Sequence, residues 1–250
     1  DVENVDGGVK ITLYKKVAVD LVIPARINGL KVVNISKTMI PNRRLFHKNK
    51  TLVSVDMSQA IYLTQISENA FSYCDKLNKV MFNENLINIE FAAFFYCPLL
   101  NNIVFPDSLE IIGNNAFRIC NLTNVTFGRN LKEIKGNAIG AAFGRNKIEI
   151  IDFLNTKLEK LGMSVFFDGE VKVLKLPSTL LSIGNAVTLN NPLEEIYITR
   201  KELPLTRLDG GRVFVSKPSE FKGKIFYPRG TNYKNEPYWK DYTSAQWIEQ

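Results

Sequence analysis

The stretch VFPDSLEIIGNNAFRICNLTNVTF, Val104 to Phe127, holds one full period of a pattern that runs along most of the chain. It closes on LTNVTF (Leu122–Phe127): an aliphatic residue, two spacers, a second aliphatic, one spacer and a last apolar residue. The same order stands at LNKVMF (Leu77–Phe82), LNNIVF (Leu100–Phe105), IEIIDF (Ile148–Phe153), VKVLKL (Val171–Leu176) and LEEIYI (Leu193–Ile198). The fourth residue of each gives the anchors Val80, Ile103, Val125, Ile151, Leu174 and Ile196, with steps of 23, 22, 26, 23 and 22 residues. Coils this short cannot close a core singly. They stack, so that like residues of successive coils form ladders along an axis.

Two further columns lie between the anchors. Aliphatic pairs three apart occur at Leu86/Ile89, Leu109/Ile112, Leu131/Ile134, Leu158/Leu161 and Leu180/Ile183. A small-plus-apolar pair follows: Ala70-Phe71, Ala93-Phe94, Ala116-Phe117, Ala138-Ile139, Val165-Phe166 and Ala186-Val187. Alternating Val, Ile and Phe predict one short strand per coil, paired in parallel with its neighbours. Asn- and Gly-rich pieces such as IGNNAF and SIGNAV supply the corners. The position four after the small residue reads Cys74, Cys97, Cys120, Ala142, Gly169 and Asn190, a slot for small side chains. Parallel ladders hold Cβ atoms about 4.8 Å apart, whereas a disulfide needs about 3.8 Å. A zinc site would need the outer sulfurs much closer than the roughly 10 Å of two strand spacings. The three cysteines therefore read as a structural ladder.

These columns resemble the BspA-like leucine-rich repeat proteins. The quoted stretch and VMFNENLINIEFAAFFYCPLLNNIVF (Val80–Phe105) follow that family's order of Leu, Ile, Ala-Phe, Cys, Leu and Val positions. LVIPARINGLKVVNIS (Leu21–Ser36) is similar to its N-terminal coil. IFYPRGTNYKNEPYWKDYTSAQW (Ile225–Trp247) is similar to its C-terminal cap, where a Pro-Gly turn leads into a Tyr-Lys and Trp-x-x-Tyr helix. Ile139 stands where the family has Phe, with AAFGRNK (Ala141–Lys147) as a bulge, and the step from Ile196 to Ile225 is an irregular 29 residues. The resemblance implies an α/β leucine-rich repeat solenoid, a right-handed superhelix of short parallel strands with loops, 3-10 turns and short helices, capped at both ends. One domain is expected over 1–250: an N-terminal cap coil at 1–51, repeats at 52–198, and an irregular last coil with the C-terminal cap at 199–250. It also implies a secreted or bacterial cell-surface protein, used in adhesion or host-protein binding.

Composition adds little against this. The 32 basic and 25 acidic residues leave a net charge of +7, which permits anionic partners without requiring them. No stretch approaches the roughly 18 apolar residues of a membrane span. The start at Asp1 reads as a processed or trimmed chain, any signal or anchor lying outside it. Sequons at Asn34, Asn49, Asn121 and Asn124 read as chance in an Asn-rich chain. The sole histidine, His47, sits among Arg43, Arg44, Lys48 and Lys50 with no Ser or Cys motif beside it, so a triad is not expected. Phosphate-loop, HExxH, EF-hand and glycine-fingerprint motifs are absent from the sequence. The expectation is a protein without catalysis, cofactor or metal.

Binding is expected where the strands line one face. The residue between the last two apolar positions of each strand points outward, giving Asp56, Met81, Val104, Thr126, Asp152, Lys175, Tyr197 and Phe226. One residue before each anchor, a flanking column reads Ser54, Lys79, Asn102, Asn124, Ile150, Val173, Glu195 and Lys224. Met and aromatic residues mark contact surfaces, so the candidate face is Met81 to Phe226, with a protein partner. Tyr197 and Phe226 have a second reading, packing beneath the C-terminal cap, and the tail aromatics from Tyr227 to Trp247 are expected there. The alternative function is a carbohydrate-binding or spacer module that docks acidic glycans through the basic loop Arg43, Arg44, Lys48 and Lys50. The chain is expected to be monomeric and not to bind nucleic acid.

Overall fold

The computed structural model describes residues 2–11, 19–35, 46–202, 206–207, 213–236 and 239–250. Each anchor lies in the middle or near the start of a short strand, and the strands stack in parallel: Val55 pairs with Val80, Ile103 with Val125, Ile151 with Leu174, Leu174 with Ile196 and Ile196 with Ile225. The molecule is a β-solenoid.

Its strand-lined face is built in three pieces. Asp20–Val22, Ser54–Asp56 and Lys79–Met81 form the first. Asn102–Val104 and Asn124–Thr126 form an isolated pair. Ile150–Asp152, Val173–Leu176, Glu195–Ile198, Lys224–Tyr227 and Gln246–Glu249 form the third.

A second strand in each coil, not expected from the sequence, makes a continuous sheet behind the first. Its members include Gln65–Ile66, Asn88–Ile89, Ile111–Ile112, Glu133–Ile134, Lys160–Leu161 and Ser182–Ile183. Each is the second residue of an aliphatic pair together with the residue before it. Two residues are too few for a period-two alternation to show. At the N-terminal end the sheet runs through Leu30–Ile35 to Gly8–Ile11 and the antiparallel Val2–Val5. Coils pack backbone to backbone here: a Cβ on Gly162 would lie 2.3 Å from the Gly136 nitrogen.

The expected α/β character and short helices are corrected. Among the described residues the helical elements are two 3-10 turns, Pro218–Glu220 and Tyr233–Asn235. On the third side of most coils the backbone enters the left-handed region twice, four residues apart, as at Asn69 and Tyr73 with φ 57° and 59°, Ala92 and Tyr96 at 52° and 57°, and Asn115 and Ile119 at 56° and 61°. Such residues cost L-amino acids roughly 1–2 kcal/mol each and interrupt a right-handed helix. Amide groups between them turn along the axis instead, Phe71 N–H donating to Ala93 O at 2.7 Å and Phe94 N–H to Ala116 O at 2.8 Å. At the C-terminal end the expected Trp-x-x-Tyr helix is a set of turns, after which Gln246–Glu249 returns as a strand beside Lys224–Tyr227.

The core is a pair of ring ladders. Phe46, Phe71, Phe94, Phe117, Phe143 and Phe166 stack at centroid spacings of 5.0, 5.1, 5.1, 5.5 and 5.7 Å. Phe82, Phe105, Phe127 and Phe153 form the other, at 5.8, 5.9 and 4.6 Å. Burying each such side chain contributes on the order of 1.5–3 kcal/mol. Phe143 in the first ladder corrects the expected pairing of Ala138 with Ile139. The small-plus-apolar pair of that coil is Ala142-Phe143, and the extra residues form a hairpin of Gly136–Asn137 with Gly140–Ala141 whose Ile139 is 85 % exposed. The bulge therefore precedes Ala142, and Phe stands in its usual column.

Candidate binding face

Every residue of the outward column points away from the core, but the two ends of the face differ. Toward the C-terminus the column is occupied by its own neighbours. Lys175 Nζ lies 3.0 Å from Asp152 Oδ2 and 5.8 Å from the centre of the Tyr197 ring. The Tyr197 and Phe226 rings stack 4.2 Å apart, inclined by 7°. Tyr197 Oη donates to Glu195 Oε2 at 2.8 Å, a hydrogen bond that raises the phenol above its ordinary pKa. Lys224 in turn reaches Glu195 at 3.4 Å. Neither ring sits beneath a cap. Both are half-exposed, and the Gln246–Glu249 strand continues the sheet past them, with Ile248 beside Phe226. The tail aromatics Tyr233, Trp239 and Tyr242 are buried with Phe214 and Phe221, while Tyr238 lies outside the described residues.

Beyond the polar Asp56, whose Oδ1 accepts from Ser58 N–H at 2.8 Å, the column carries an open apolar pair. Met81 is 37 % exposed, Val104 67 % and, in the flanking column, Ile150 57 %, with Thr126 exposed between them. A cleft of about 810 Å³ opens between the Lys79–Met81 and Asn102–Val104 strands, where the sheet is interrupted. A smaller one of about 530 Å³ lies at the second interruption, beside Asn124, Thr126 and Ile150. Polar groups border the apolar floor: Asn124 Nδ2 donates to Asn102 Oδ1 at 2.9 Å, and Asn102 Nδ2 to Asn101 Oδ1 at 3.2 Å.

The basic loop is only partly described. Arg43 and Arg44 lie outside the described residues. Lys50 is ion-paired with Asp75, and Lys48 Nζ lies 5.8 Å from the centre of the Tyr73 ring. His47 does have a hydroxyl neighbour that its sequence surroundings concealed: its Nδ1 is 2.5 Å from Ser72 Oγ, one coil away. Ser72 is fully buried, so its hydroxyl is closed to a substrate and serves the packing of the two coils.

Cys74, Cys97 and Cys120 are free, fully buried thiols. Each donates to a carbonyl of the preceding coil: to Phe46 O at 3.0 Å, Phe71 O at 3.2 Å and Phe94 O at 3.0 Å respectively. Burial pushes Cys74 up to about 12 and Cys97 well above the usual thiol range, so both stay protonated and unreactive at neutral pH. In four successive coils the slot holds a side-chain donor. Asn146 fills it in the next coil, its Nδ2 donating to Phe117 O at 2.8 Å. Ala142, expected in that slot, belongs to the small-residue column. Among the described residues no three His, Cys, Asp or Glu side chains gather as a metal site would. No helix among them is long and apolar enough to cross a membrane.

The family model described as "BspA type Leucine rich repeat region" matches the chain in six copies, over residues 28–141 and 92–205. Among solved structures, the T. pallidum leucine rich repeat protein TpLRR superposes with a TM-score of 0.56 at 21 % identity, covering 86 % of this chain and 82 % of its own. At that identity the likeness shows the fold. A leucine rich cell surface protein from Faecalibacterium prausnitzii is 16 % identical with a TM-score of 0.46, over 98 % of this chain and 91 % of its own. The pneumococcal vaccine antigen PcpA is 15 % identical with a TM-score of 0.48, over 100 % and 96 %. No curated protein matches the chain.

Proposed function

The chain belongs to the BspA-type leucine-rich repeat family, and from that premise we propose that it is a non-catalytic, secreted or cell-surface module that binds a protein through the N-terminal half of its strand-lined face. Leucine-rich repeat proteins are generally non-enzymatic scaffolds for protein interaction, which is the coarse part of this reading. Adhesion, with a host extracellular protein as partner, is the finer part. The observation that carries it is the row Met81, Val104 and Ile150, three large apolar side chains left exposed around open clefts. Exposed apolar patches rimmed by polar groups mark protein contact sites. The other outward residues, Asp152, Lys175, Tyr197 and Phe226, contribute less, because their groups already engage one another. A glycan-reading basic loop has less support, since Lys48 and Lys50 have partners of their own.

The test is capture of the folded chain on an array of extracellular-matrix proteins and anionic glycans at low and high salt. The expected result is salt-resistant binding to a protein that Val104→Asp abolishes. Binding to anionic glycans alone, lost at high salt, would transfer the role to the basic loop.

A further inference from the structure

Most cations of the solenoid are answered by a neighbouring coil or a nearby acid, and Arg118 on the third side is not. Arg129, Arg145 and Arg200 each meet a carboxylate, at 3.4, 3.3 and 3.1 Å. Arg118 meets none among the described residues, and the adjoining coils present Phe95 and Gly144 in its column. Its Nη1 donates to Ile139 O at 3.3 Å. Nε is buried without an acceptor, and among the described residues Nη2 has none either. The Nε–Nη2 edge of the guanidinium is therefore unfilled, and that edge suits a carboxylate held by two parallel hydrogen bonds. A buried donor on a charged group is costly to leave unmade.

Arg118 lines a hollow of about 110 Å³ with Asn137, Ile139, Ser164 and Phe167. One wall is the hairpin inserted in the 26-residue step, and it is held in place. Ile139 N–H donates to Asn137 Oδ1 at 3.1 Å, and Ala141 N–H to Asn115 Oδ1 at 3.0 Å. The Ser164 hydroxyl has no hydrogen bond among the described residues and offers a further donor. No Asp or Glu is among the lining residues, so the hollow carries charge of one sign. Ile139, 85 % exposed, and Phe167 set apolar surface beside the cation.

We propose that this hollow is a binding site for a carboxylate borne on a branched aliphatic body, either a free acid or an acidic side chain beside an aliphatic residue of another protein. Arg118 holds the carboxylate by its unfilled edge, Nη2 from the solvent side and Nε after a small turn of the side chain, with the Ser164 hydroxyl as third donor. The aliphatic body lies against Ile139. The site is on the third side of the solenoid and stands whether or not the strand-lined face binds a protein.

The probes are isovalerate, acetate, inorganic phosphate and the neutral isovaleramide, titrated against the folded chain. The readout is the Arg118 Nε–H signal in proton–nitrogen NMR, identified by its loss in Arg118→Lys. Isovalerate is expected to shift that signal saturably and to bind about fourfold tighter than acetate, the worth of roughly one buried methylene. Isovaleramide is expected not to bind, and phosphate to bind more weakly than isovalerate. Arg118→Lys keeps the charge but loses the planar fork, and is expected to weaken isovalerate about tenfold or more, followed on the Ile139 methyl signals. Ile139→Ser, an exposed change, is expected to leave acetate binding in place and erase the advantage of isovalerate. The blocked dipeptides acetyl-Glu-Val-amide and acetyl-Gln-Val-amide separate the sources: a shift with the first alone supports a protein-borne acid, and a shift with neither, while isovalerate binds, supports a free one. No saturable shift, equal binding of isovaleramide, or tighter binding of phosphate would overturn the inference. So would isovalerate affinity that Arg118→Lys leaves unchanged. Should Arg118→Lys fail to fold, the comparison of acid with amide on the wild-type chain and the Ile139→Ser titration still decide.

Discussion

From Asp152 to Phe226 the outward column is occupied by its own neighbours, through an ion pair, a cation over a ring and a ring stack. Between Met81 and Ile150 the exposed apolar side chains Met81, Val104 and Ile150 stand among Thr126 and the hydrogen-bonded Asn102 and Asn124, around two interruptions in the sheet. The repeat, the core ladders and the second sheet continue beneath both halves. A solenoid can thus keep one core while leaving part of its surface unsatisfied, because ladder positions and outward positions alternate along each strand and are chosen independently.

Four experiments press on that contrast. The largest effect is expected in what the halves share: Phe94→Ala, between rings 5.1 Å away on both sides, should lower stability by about 3–5 kcal/mol in urea titration. Tryptophan fluorescence from Trp239 and Trp247 should report the same midpoint as far-UV circular dichroism, and separate midpoints would break the single core into two. Next comes alkaline pH, which should act first on the N-terminal half because the buried thiols are there. Cys74 is raised from 9.0 to about 12, so folding favours its neutral form. Its contribution is complete below about pH 9 and is lost as pH rises toward about 12, at about 1.4 kcal/mol per unit. Cys74→Ala should flatten the alkaline fall in urea midpoint, and an unchanged slope would remove the thiol from the account. Tyr233, raised from 10.0 to about 12 by burial, acts in the same direction at the other end.

Val104→Asp should weaken partner binding by about tenfold or more while leaving the urea midpoint within about 0.5 kcal/mol, as expected of an exposed position. Lys175→Ala should do least. Its partly exposed pair with Asp152 is worth about 0–1 kcal/mol, and binding should not change. Loss of binding there would move the site toward Tyr197.

The apolar columns were legible because each coil repeats them, and the slot after Phe was legible as small because Cys recurs in it. One coil misled. Ala138-Ile139 and Ala142-Phe143 both fit the small-plus-apolar pattern, yet the distance forward to the anchor decides between them. It is 9 residues from Phe71, Phe94 and Val187, 8 from Phe117, Phe143 and Phe166, but 12 from Ile139. Counting forward would have put the insertion at the hairpin. The neighbour of His47 could not be found by motif, since Ser72 comes to it only when coils stack.

By itself the sequence determined the stacking unit, the anchors, the buried columns and which residue of each strand faces outward, because these follow from local periodicity and from the need of a short coil to bury its apolar residues against the next. Helix or turn on the third side was decided by tertiary structure, where amides bond along the axis to the adjoining coil rather than within their own. The division of the binding face was decided there too. Whether two neighbouring strands close a ladder depends on the spacing of whole coils, and whether Lys175 is engaged depends on what the next coil presents beside it.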